Sequence, residues 1–414
     1  MRQLISALRR RFPRIILLLA LLSAFPPLAT DMYLAALPLL QREWGVGPVV
    51  INLTLIAFFL SYCAFLLVYG PLSDRFGRRP PLLFGSGLFA AASLLCALAS
   101  NVEIMIFGRI LQGAGAAAAS SIVFAVAKDR FAGNQRQRVL IQIGVIVASA
   151  PMLAPIIGGW IVTLWTWRLV FLIQAVLGLA AWYGVLRMPE PLVRRSASGA
   201  RQVAAGYLRL FRNRRYTALM LSFTWTCAPV FAFIAGAADL YITRMGYSAD
   251  QFGYFFGFNS LAFVAAPLTF SFLVRRIATF RLIPLALVGM LAASCLLLCT
   301  WMPTPWRLTL PMLGLTFCHS FIRPVGNNLV LEQVDRDAGA ASSLMVFFHF
   351  LVGALGMWAF SFPWDDKITV LGRIGLLAAS CSLTGWLLVR GKIRPVGGSG
   401  AGSVREGGAR GRPA

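Results

Sequence analysis

The chain has 414 residues, of which 58% are hydrophobic and 13% are charged, and its formal net charge is +24. Soluble domains are about half apolar and about a quarter charged, so this composition excludes a soluble domain and indicates a membrane protein with many spans. Of the 38 Lys and Arg residues, 30 lie in the amino terminus, every second loop and the carboxyl tail, five in the alternate loops and three within apolar runs. This positive-inside pattern predicts that both termini are cytoplasmic and that the charge meets anionic lipid rather than nucleic acid.

Twelve apolar stretches are long enough to cross a bilayer. They lie at about 15–39, 49–71, 81–99, 102–125, 138–163, 167–187, 216–241, 251–273, 281–301, 307–330, 340–362 and 368–389. The first follows three arginines, as a signal peptide does, but it continues to about Leu40 without a clear cleavage site, so we predict an uncleaved span. The seven cysteines lie in apolar runs without metal-ligand spacing, and we expect no disulfide, no metal site and no cofactor.

The longest connection runs from Met188 to Tyr216 and divides the spans six and six. We therefore predict an amino-terminal half at 1–187, a basic cytoplasmic linker at 188–215, a carboxyl-terminal half at 216–395 and a disordered tail at 396–414. Within the linker, the segment from Tyr207 to Phe211 has the pattern of an amphipathic surface helix.

The loop after the second span contains an acid, three arginines and two glycines within eleven residues. Gly77 suits a chain reversal, Asp74 can face the positive end of another helix, and the arginines hold the loop at the cytoplasmic surface. A plain positive-inside loop with a turn is the alternative. The motif, which includes Gly70, Arg75, Arg78 and Arg79, resembles the loop signature of the major facilitator superfamily, G-x-L-x-D-R-x-G-R-[RK], at every defining position. This resemblance implies an all-α fold of twelve transmembrane helices in two pseudo-symmetric halves, with the loop bracing the two halves at the cytoplasmic side.

The first span contains an acid, Asp31, about sixteen residues from its start. Sixteen residues rise about 24 Å, against a hydrocarbon core of about 30 Å, so the acid lies at membrane depth, where acids are presumed functional. A position at the outer interface is the alternative. The run D-M-Y-L-x-A-L-P, from Asp31 through Tyr33 to Pro38, resembles the bicyclomycin- and chloramphenicol-resistance (Bcr/CflA) branch of the drug:proton antiporters, with Ala35 where that branch usually has proline. Because Asp31 is the only acid well inside a span of the first half, we predict that it carries the proton.

The fourth span contains Arg109 and Gln112 on one helical face, followed by Gly113. A guanidinium stays charged and can stabilise a nearby carboxylate, although a snorkelling arginine near a helix end is the alternative. The set resembles the superfamily signature R-x-x-Q-G, in which the arginine tunes proton binding.

The fifth span contains Ala150, then Ala154-Pro155, then Gly158-Gly159. It resembles the antiporter signature G-x-x-x-G-P-x-x-G-G with two glycines replaced by alanine. Small residues at this spacing allow close helix packing, and a generic packing seam is the alternative.

The second half is less specific. Its candidates for a substrate cavity are aromatic and polar residues, and together with two from the first half the set is Tyr33, Gln112, Phe231, Phe255, Asn259, His319 and Arg323. A buried cation such as Arg323 needs a partner or a water-filled cavity. His319 and His349 could relay protons, or they could be core residues whose hydrogen bonds are satisfied. Asp239 could belong to a functional site, or it could be an acid at the membrane interface.

The resemblance implies proton-coupled efflux of small amphipathic drugs across a bacterial inner membrane, by a monomer whose partners are the drug, protons and lipid. Export of a metabolite such as an amino acid or a sugar keeps the same fold and stays open. A membrane receptor or enzyme is the alternative from another class. Against an enzyme, the polar segments contain no nucleophile–base pair, metal-ligand cluster or phosphate-binding loop.

Overall fold

The computed structural model describes residues 15–192, 200–299, 303–334 and 338–392. Within these ranges the regular structure is entirely helical, which confirms the predicted fold class. The predicted tail at 396–414 lies outside the described residues.

Thirteen helices are numbered here in chain order within the described ranges. They are α1 (Ile15–Glu43), α2 (Pro48–Phe76), α3 (Arg79–Ala97), α4 (Val102–Arg130), α5 (Gly133–Leu164), α6 (Trp167–Leu186), α7 (Ala200–Arg212), α8 (Arg214–Arg244), α9 (Ala249–Leu273), α10 (Thr279–Leu298), α11 (Trp306–Leu331), α12 (Ala338–Phe360) and α13 (Lys367–Val389). The predicted amphipathic segment of the linker is helical and belongs to the longer α7.

Eleven helices in the described part of the chain are long and apolar enough to cross a membrane. The tenth predicted span is also a long helix, the 26-residue α11, but polar residues such as His319 and Arg323 lower its hydropathy. The short α7 is the remaining helix. Every predicted span therefore corresponds to a long helix, and eleven of the twelve are apolar enough by themselves.

The helices form two groups that meet along two seams. In the first group α4 packs on α2 and α3, and α3 packs on α6; in the second group α10 packs on α11 and α13, and α9 packs on α11. Between the groups, α5 packs on α9 and α2 packs on α12. The two seams hold most of the contact between the groups.

The two ends of the bundle differ. We call the end that carries the α2–α3 loop the basic end, and the other the opposite end. At the opposite end the groups are joined by hydrogen bonds from Asn52 Nδ2 to Ser361 Oγ (2.9 Å) and from Trp160 Nε1 to Tyr254 Oη (3.1 Å). At the basic end a cavity opens between α8, α11 and α12. The two groups are therefore joined at the opposite end, and the cavity lies at the basic end.

Candidate functional site

The first helix is interrupted at Asp31. An α-helical segment, Phe25–Asp31, ends there; a turn and a 3₁₀ segment, Leu34–Ala36, follow before the helix resumes at Leu37. Pro38 lies in the first turn of the resumed helix, where it lacks an N–H and disfavours α conformation in the residue before it. The Asp31 side chain is 7% exposed and in the described part of the chain it forms no ion pair. Its partner is the hydroxyl of Thr30, 2.9 Å from Oδ1.

An interrupted helix leaves carbonyl groups that lack an intrahelical donor, and such groups are costly at membrane depth. Tyr33 N–H donates to Thr30 O, three residues back, instead of to Ala29 O. The carbonyl of Ala29 accepts a hydrogen bond from Arg109 Nη1 (2.9 Å), and the carbonyl of Leu28 accepts one from Gln174 Nε2 (2.9 Å). Side chains of α4 and α6 thus replace the missing helical donors of α1.

The two donors belong to one hydrogen-bonded network. Gln112 Oε1 accepts from Arg109, and Gln112 Nε2 donates to Gln174 Oε1 and to Ser93 Oγ, both at 2.8 Å. Arg109 Nε also donates to Thr54 O at 3.3 Å. The network fixes α1 to four other helices next to the interruption.

Arg109 is fully buried, with its guanidinium 4.4 Å from the ring centroid of Phe58 and 5.1 Å from that of Tyr33. Cation–π contacts of this kind stabilise a cation that water does not reach. The side chain turns into the bundle instead of snorkelling to a helix end. It reaches the backbone two residues before Asp31, and the structure does not bring Asp31 and Arg109 into an ion pair. Arg109 therefore contacts the backbone near the acid and not the acid itself.

Two glycines of α5 touch the backbones of other helices. A Cβ on Gly158 would lie 2.1 Å from the carbonyl oxygen of Met32, and one on Gly159 would lie 2.3 Å from that of Ala249. Because real Cβ atoms essentially never come closer than about 3.0 Å, only glycine permits these contacts. Gly158 thus packs on the interruption of α1, and Gly159 packs on the first residue of α9 in the other group.

The α2–α3 loop is held by two acids from distant parts of the chain. Arg78 forms ion pairs with Asp74 (2.5 Å) and Asp129 (2.8 Å). Glu190, just after α6, accepts hydrogen bonds from the backbone N–H of Arg78 (2.8 Å) and of Arg79 (3.0 Å). These N–H groups begin α3, where the helix dipole favours an anion.

Close approach of that carboxylate explains the glycine in the loop. Gly77 has φ 99°, and a Cβ there would lie 2.7 Å from Glu190 Oε2. Partial burial lowers the pKa of Arg78, but the hydrogen bonds and charges of Asp129 and Asp74 outweigh it and raise the pKa. Arg78 stays charged at any working pH.

The cavity at the basic end lies within the second group. Its lining runs from Thr226 and His319, in the middle of their helices, to Leu331 and Ser342 near the ends of α11 and α12. Its empty space, including the part continuous with solvent, is about 630 Å³. The part of this space that a water molecule can occupy is about 80 Å³, so the cavity in this structure is smaller than small-molecule pockets of about 300–1,000 Å³.

Comparisons with known proteins place this arrangement in a family. The profile of the Major Facilitator Superfamily matches residues 19–357, well over half of the sequence. The chain belongs to the Major Facilitator Superfamily. Membership in this superfamily indicates a transporter rather than an enzyme, and it confirms the predicted family.

Two relatives of this superfamily member are resistance proteins. The chain is 28% identical over 394 residues to the bicyclomycin resistance protein homolog of Haemophilus influenzae, covering 92% of this chain and 98% of that protein. It is 32% identical over 252 residues to the chloramphenicol resistance protein of Pseudomonas aeruginosa, covering 60% of this chain and 59% of that protein. These are the names of the branch that the run at Asp31 resembles, which confirms that prediction.

The superfamily fold is also found among solved structures. A crystal structure of the D-xylose–proton symporter aligns with a TM-score of 0.71 at 15% sequence identity, covering 90% of this chain and 97% of that chain. At this identity the likeness shows the fold alone.

The superfamily signatures lie at different places in this structure. The loop motif from Gly70 to Arg79 is at the basic end; a Cβ on Gly70 would meet nothing within 4 Å, and Arg75 is exposed. The motif at Ala154 and Pro155 is in the middle of α5, with both residues buried. Roles for these residues in gating and packing stay predictions.

The candidates for a substrate cavity do not share one cavity. His319 and Arg323 line the cavity at the basic end, and Phe231 lies beside it, with its ring centroid 5.6 Å from that of His349. Phe255 stacks on Tyr241 at 4.9 Å, between α9 and α8. The other three are satisfied by neighbours: Tyr33 and Gln112 in the network around Arg109, and Asn259 by Thr316 at 3.1 Å.

Asp239 forms an ion pair with Lys367, whose ammonium is 2.9 Å away, and a second one with Arg244 at 3.4 Å. Lys367 begins α13 and is almost completely buried. This placement, at the opposite end of the bundle, agrees with the interpretation of Asp239 as an acid near the interface.

Sequence reasoning missed three residues that hold the site, Gln174, Asp129 and Glu190. A signal for each exists. Gln174 is a polar side chain within an apolar span, Asp129 ends the fourth span, and Glu190 is the one acid at the start of the linker. None of these signals predicts which residue the side chain binds, because the hydrogen-bond partners lie 51 to 146 residues away along the chain.

Proposed function

We propose that this superfamily member exports small amphipathic drugs across the bacterial inner membrane in exchange for protons, acting as a monomer. The basic end would face the cytoplasm, as the positive-inside pattern requires, with both termini on that side. The cavity in this structure would then be open to the cytoplasm. The observation that carries the proposal is the buried acid at the interruption of α1, in a chain whose relatives bear drug-resistance names.

Asp31 would carry the proton, because its surroundings accept both of its protonation states. The Thr30 hydroxyl lies 2.9 Å from Asp31 Oδ1 and also 2.9 Å from the carbonyl oxygen of Pro26. When Asp31 is ionised, Thr30 can donate to it. When Asp31 is protonated, it can donate to Thr30, which then donates to Pro26 O. Neither state leaves the acid without a hydrogen bond.

Alternating access would use the two seams between the helix groups. Opening at the opposite end requires α5 to leave α9 where Gly159 contacts Ala249, and α2 to leave α12 where Asn52 contacts Ser361. Closing at the basic end would bring the α2–α3 loop toward the start of α12, where Asp74 can face the helix N-terminus near Ala338 to Ala341. Residues 335–337, just before that helix, lie outside the described residues.

The proton gradient is sufficient for resistance. One inward proton releases about 2.3 kcal/mol per 100 mV of membrane potential and about 1.4 kcal/mol per pH unit. Together these support a drug gradient of several hundredfold per proton.

Everted membrane vesicles from a host lacking its own drug pumps test the proposal. Vesicles containing the protein should accumulate chloramphenicol or bicyclomycin when respiration acidifies the lumen. The protonophore CCCP, which dissipates both the pH gradient and the membrane potential, should abolish the accumulation. Accumulation of labelled amino acids or sugars without any drug would favour the metabolite exporter instead. Accumulation that persists in CCCP would contradict proton coupling.

A further inference from the structure

The cavity at the basic end contains a cation for which the described part of the chain supplies no partner. Arg323 is exposed to the cavity, and in the described part of the chain it forms neither an ion pair nor a hydrogen bond. It lies eight residues before the end of α11, about 12 Å along the helix. A charged side chain at that depth is expected to pair with another group or to face a binding cavity.

Two histidines stand beside the arginine. The rings of His319 and His349 stack with centroids 5.4 Å apart and 24° between their planes. His319 Nδ1 contacts Thr226 Oγ1 at 3.1 Å, while Nε2 has no hydrogen-bond partner among the described residues. His349 also lines the cavity, and its ring edge meets Phe231.

The charges around the cavity are unbalanced. Its polar lining consists of Thr224, Thr226, Arg323, Asn327, Ser342 and the two histidines, with no carboxylate among the lining residues. The nearest acid along α11, Glu332, accepts a hydrogen bond from Asn328 and is not part of the lining. Among the described residues, the cavity therefore offers a guanidinium and several neutral donors but no anion.

The remaining lining is apolar. Met220, Phe223, Ile322, Met345 and Val346 form a surface on which a hydrophobic body can lie next to the charged group. A guanidinium binds a carboxylate or a phosphonate through two parallel hydrogen bonds, which are strong because both partners are charged.

We propose that this cavity binds small amphipathic anions, with a carboxylate, phosphonate or sulfonate on Arg323, His319 and His349 beside it, and the apolar body against Phe223 and Met345. The proposal rests on the proposed function and adds amphipathic anions to its cargo. An anionic lipid headgroup has the same chemistry as such a cargo, so the experiment must distinguish the two sources.

The test uses the full-length protein in neutral detergent and two probes of the same shape, 2-naphthoate and its uncharged amide, 2-naphthamide. The wild type should bind naphthoate at least tenfold more tightly than naphthamide by isothermal titration calorimetry. Arg323→Gln should lose most of this preference. Arg323→Lys should retain part of it, because Lys keeps the positive charge but lacks the planar pair of N–H donors. Arg373→Gln, the same change at an exposed arginine of α13 outside the cavity, should keep the full preference.

Equal binding of the two probes by the wild type would overturn the proposal without any variant, so it stays testable if Arg323→Gln fails to fold. An unchanged preference in Arg323→Gln would also overturn it. Phosphatidylglycerol added in steps should leave naphthoate binding intact, whereas complete displacement would assign the cavity to a lipid headgroup. The proposed function has a separate readout, which is proton-coupled efflux of chloramphenicol, a neutral drug. Efflux without a preference for naphthoate refutes only this inference, and the preference without efflux refutes only the proposed function.

Discussion

The contact between Gly159 and Ala249 gives a direct way to shift the conformational balance. A Cβ on Gly159 would lie 2.3 Å from the Ala249 carbonyl oxygen, and real Cβ atoms essentially never approach below about 3.0 Å, so the two helices must separate by at least about 0.7 Å in the Gly159→Ala variant. Overpacking of this kind costs about 1–3 kcal/mol. The contact joins the groups at the opposite end, so this cost falls on the state seen here and relaxes when that end opens.

A penalty of about 1–3 kcal/mol on one of two states shifts their ratio by about 5- to 150-fold. The assay is maleimide labelling of Ser361→Cys in a cysteine-free background, because Ser361 is fully buried at the opposite end in this structure. Gly159→Ala should speed labelling at least severalfold and slow drug efflux. Gly144→Ala is the matched control, since a Cβ at Gly144 of the same helix would meet nothing within 4 Å.

A second variant approaches the same seam from the other side. A Cβ on Gly253 would lie 2.8 Å from the carbonyl oxygen of Pro155, a milder overlap, so Gly253→Ala should shift labelling in the same direction by a smaller factor. If Gly159→Ala labels and transports like Gly144→Ala, the seam between α5 and α9 does not control opening at this end.

Three further changes test the contacts that hold the site. Arg109→Ala should lower the melting temperature in detergent and abolish efflux, because it leaves the Ala29 carbonyl without a hydrogen bond, which costs about 1–3 kcal/mol of stability. Arg109→Lys should restore both only partly. Equal melting temperatures for Arg109→Ala and the wild type would exclude the backbone role. Glu190→Ala should lower the melting temperature and the transport rate, while drug affinity stays within a few-fold. The control Glu103→Ala, at an exposed acid, should change neither the melting temperature nor the transport rate. Lost drug affinity in Glu190→Ala would contradict a purely structural role. Asp366, before α13, has a pKa that partial burial raises but that hydrogen bonds from Thr369 and Arg307 lower overall. Its ionised form therefore stabilises the fold above about pH 4, and this stabilisation is lost as the pH falls through the lowered pKa. Asp366→Asn should melt earlier than wild type at pH 7, with a deficit that shrinks as the pH falls below about 4, and a deficit independent of pH would exclude its charge.

Local patterns in the sequence predicted much of this arrangement. Helical periodicity is local, so the spacing of Arg109 and Gln112 predicted one face, and the structure joins their side chains directly. The glycines of α5 were likewise recognisable as a packing motif, although the sequence did not say that Gly158 meets Met32.

What the sequence did not predict depends on distant partners. The sequence suggested that Arg109 stabilises the Asp31 carboxylate, and that role stays a prediction. In the structure α1 is interrupted there, and the free carbonyl of Ala29 accepts a hydrogen bond from Arg109 while that of Leu28 accepts one from Gln174. Glu190 holds a loop 111 to 112 residues earlier in the chain, and no local pattern connects the two. Contacts of this kind follow from the packing of whole helices.

The central claim is that drug export is coupled to protons through Asp31, and drug-driven proton flux in proteoliposomes tests it most directly. The purified protein is reconstituted with a trapped pH-sensitive dye, and chloramphenicol is added to one side without an imposed gradient. We expect the wild type to move protons against the drug flux. Asp31→Asn should reach the membrane and bind the drug but move no protons, because an amide cannot carry one. Proton flux in Asp31→Asn equal to that of the wild type would contradict the account.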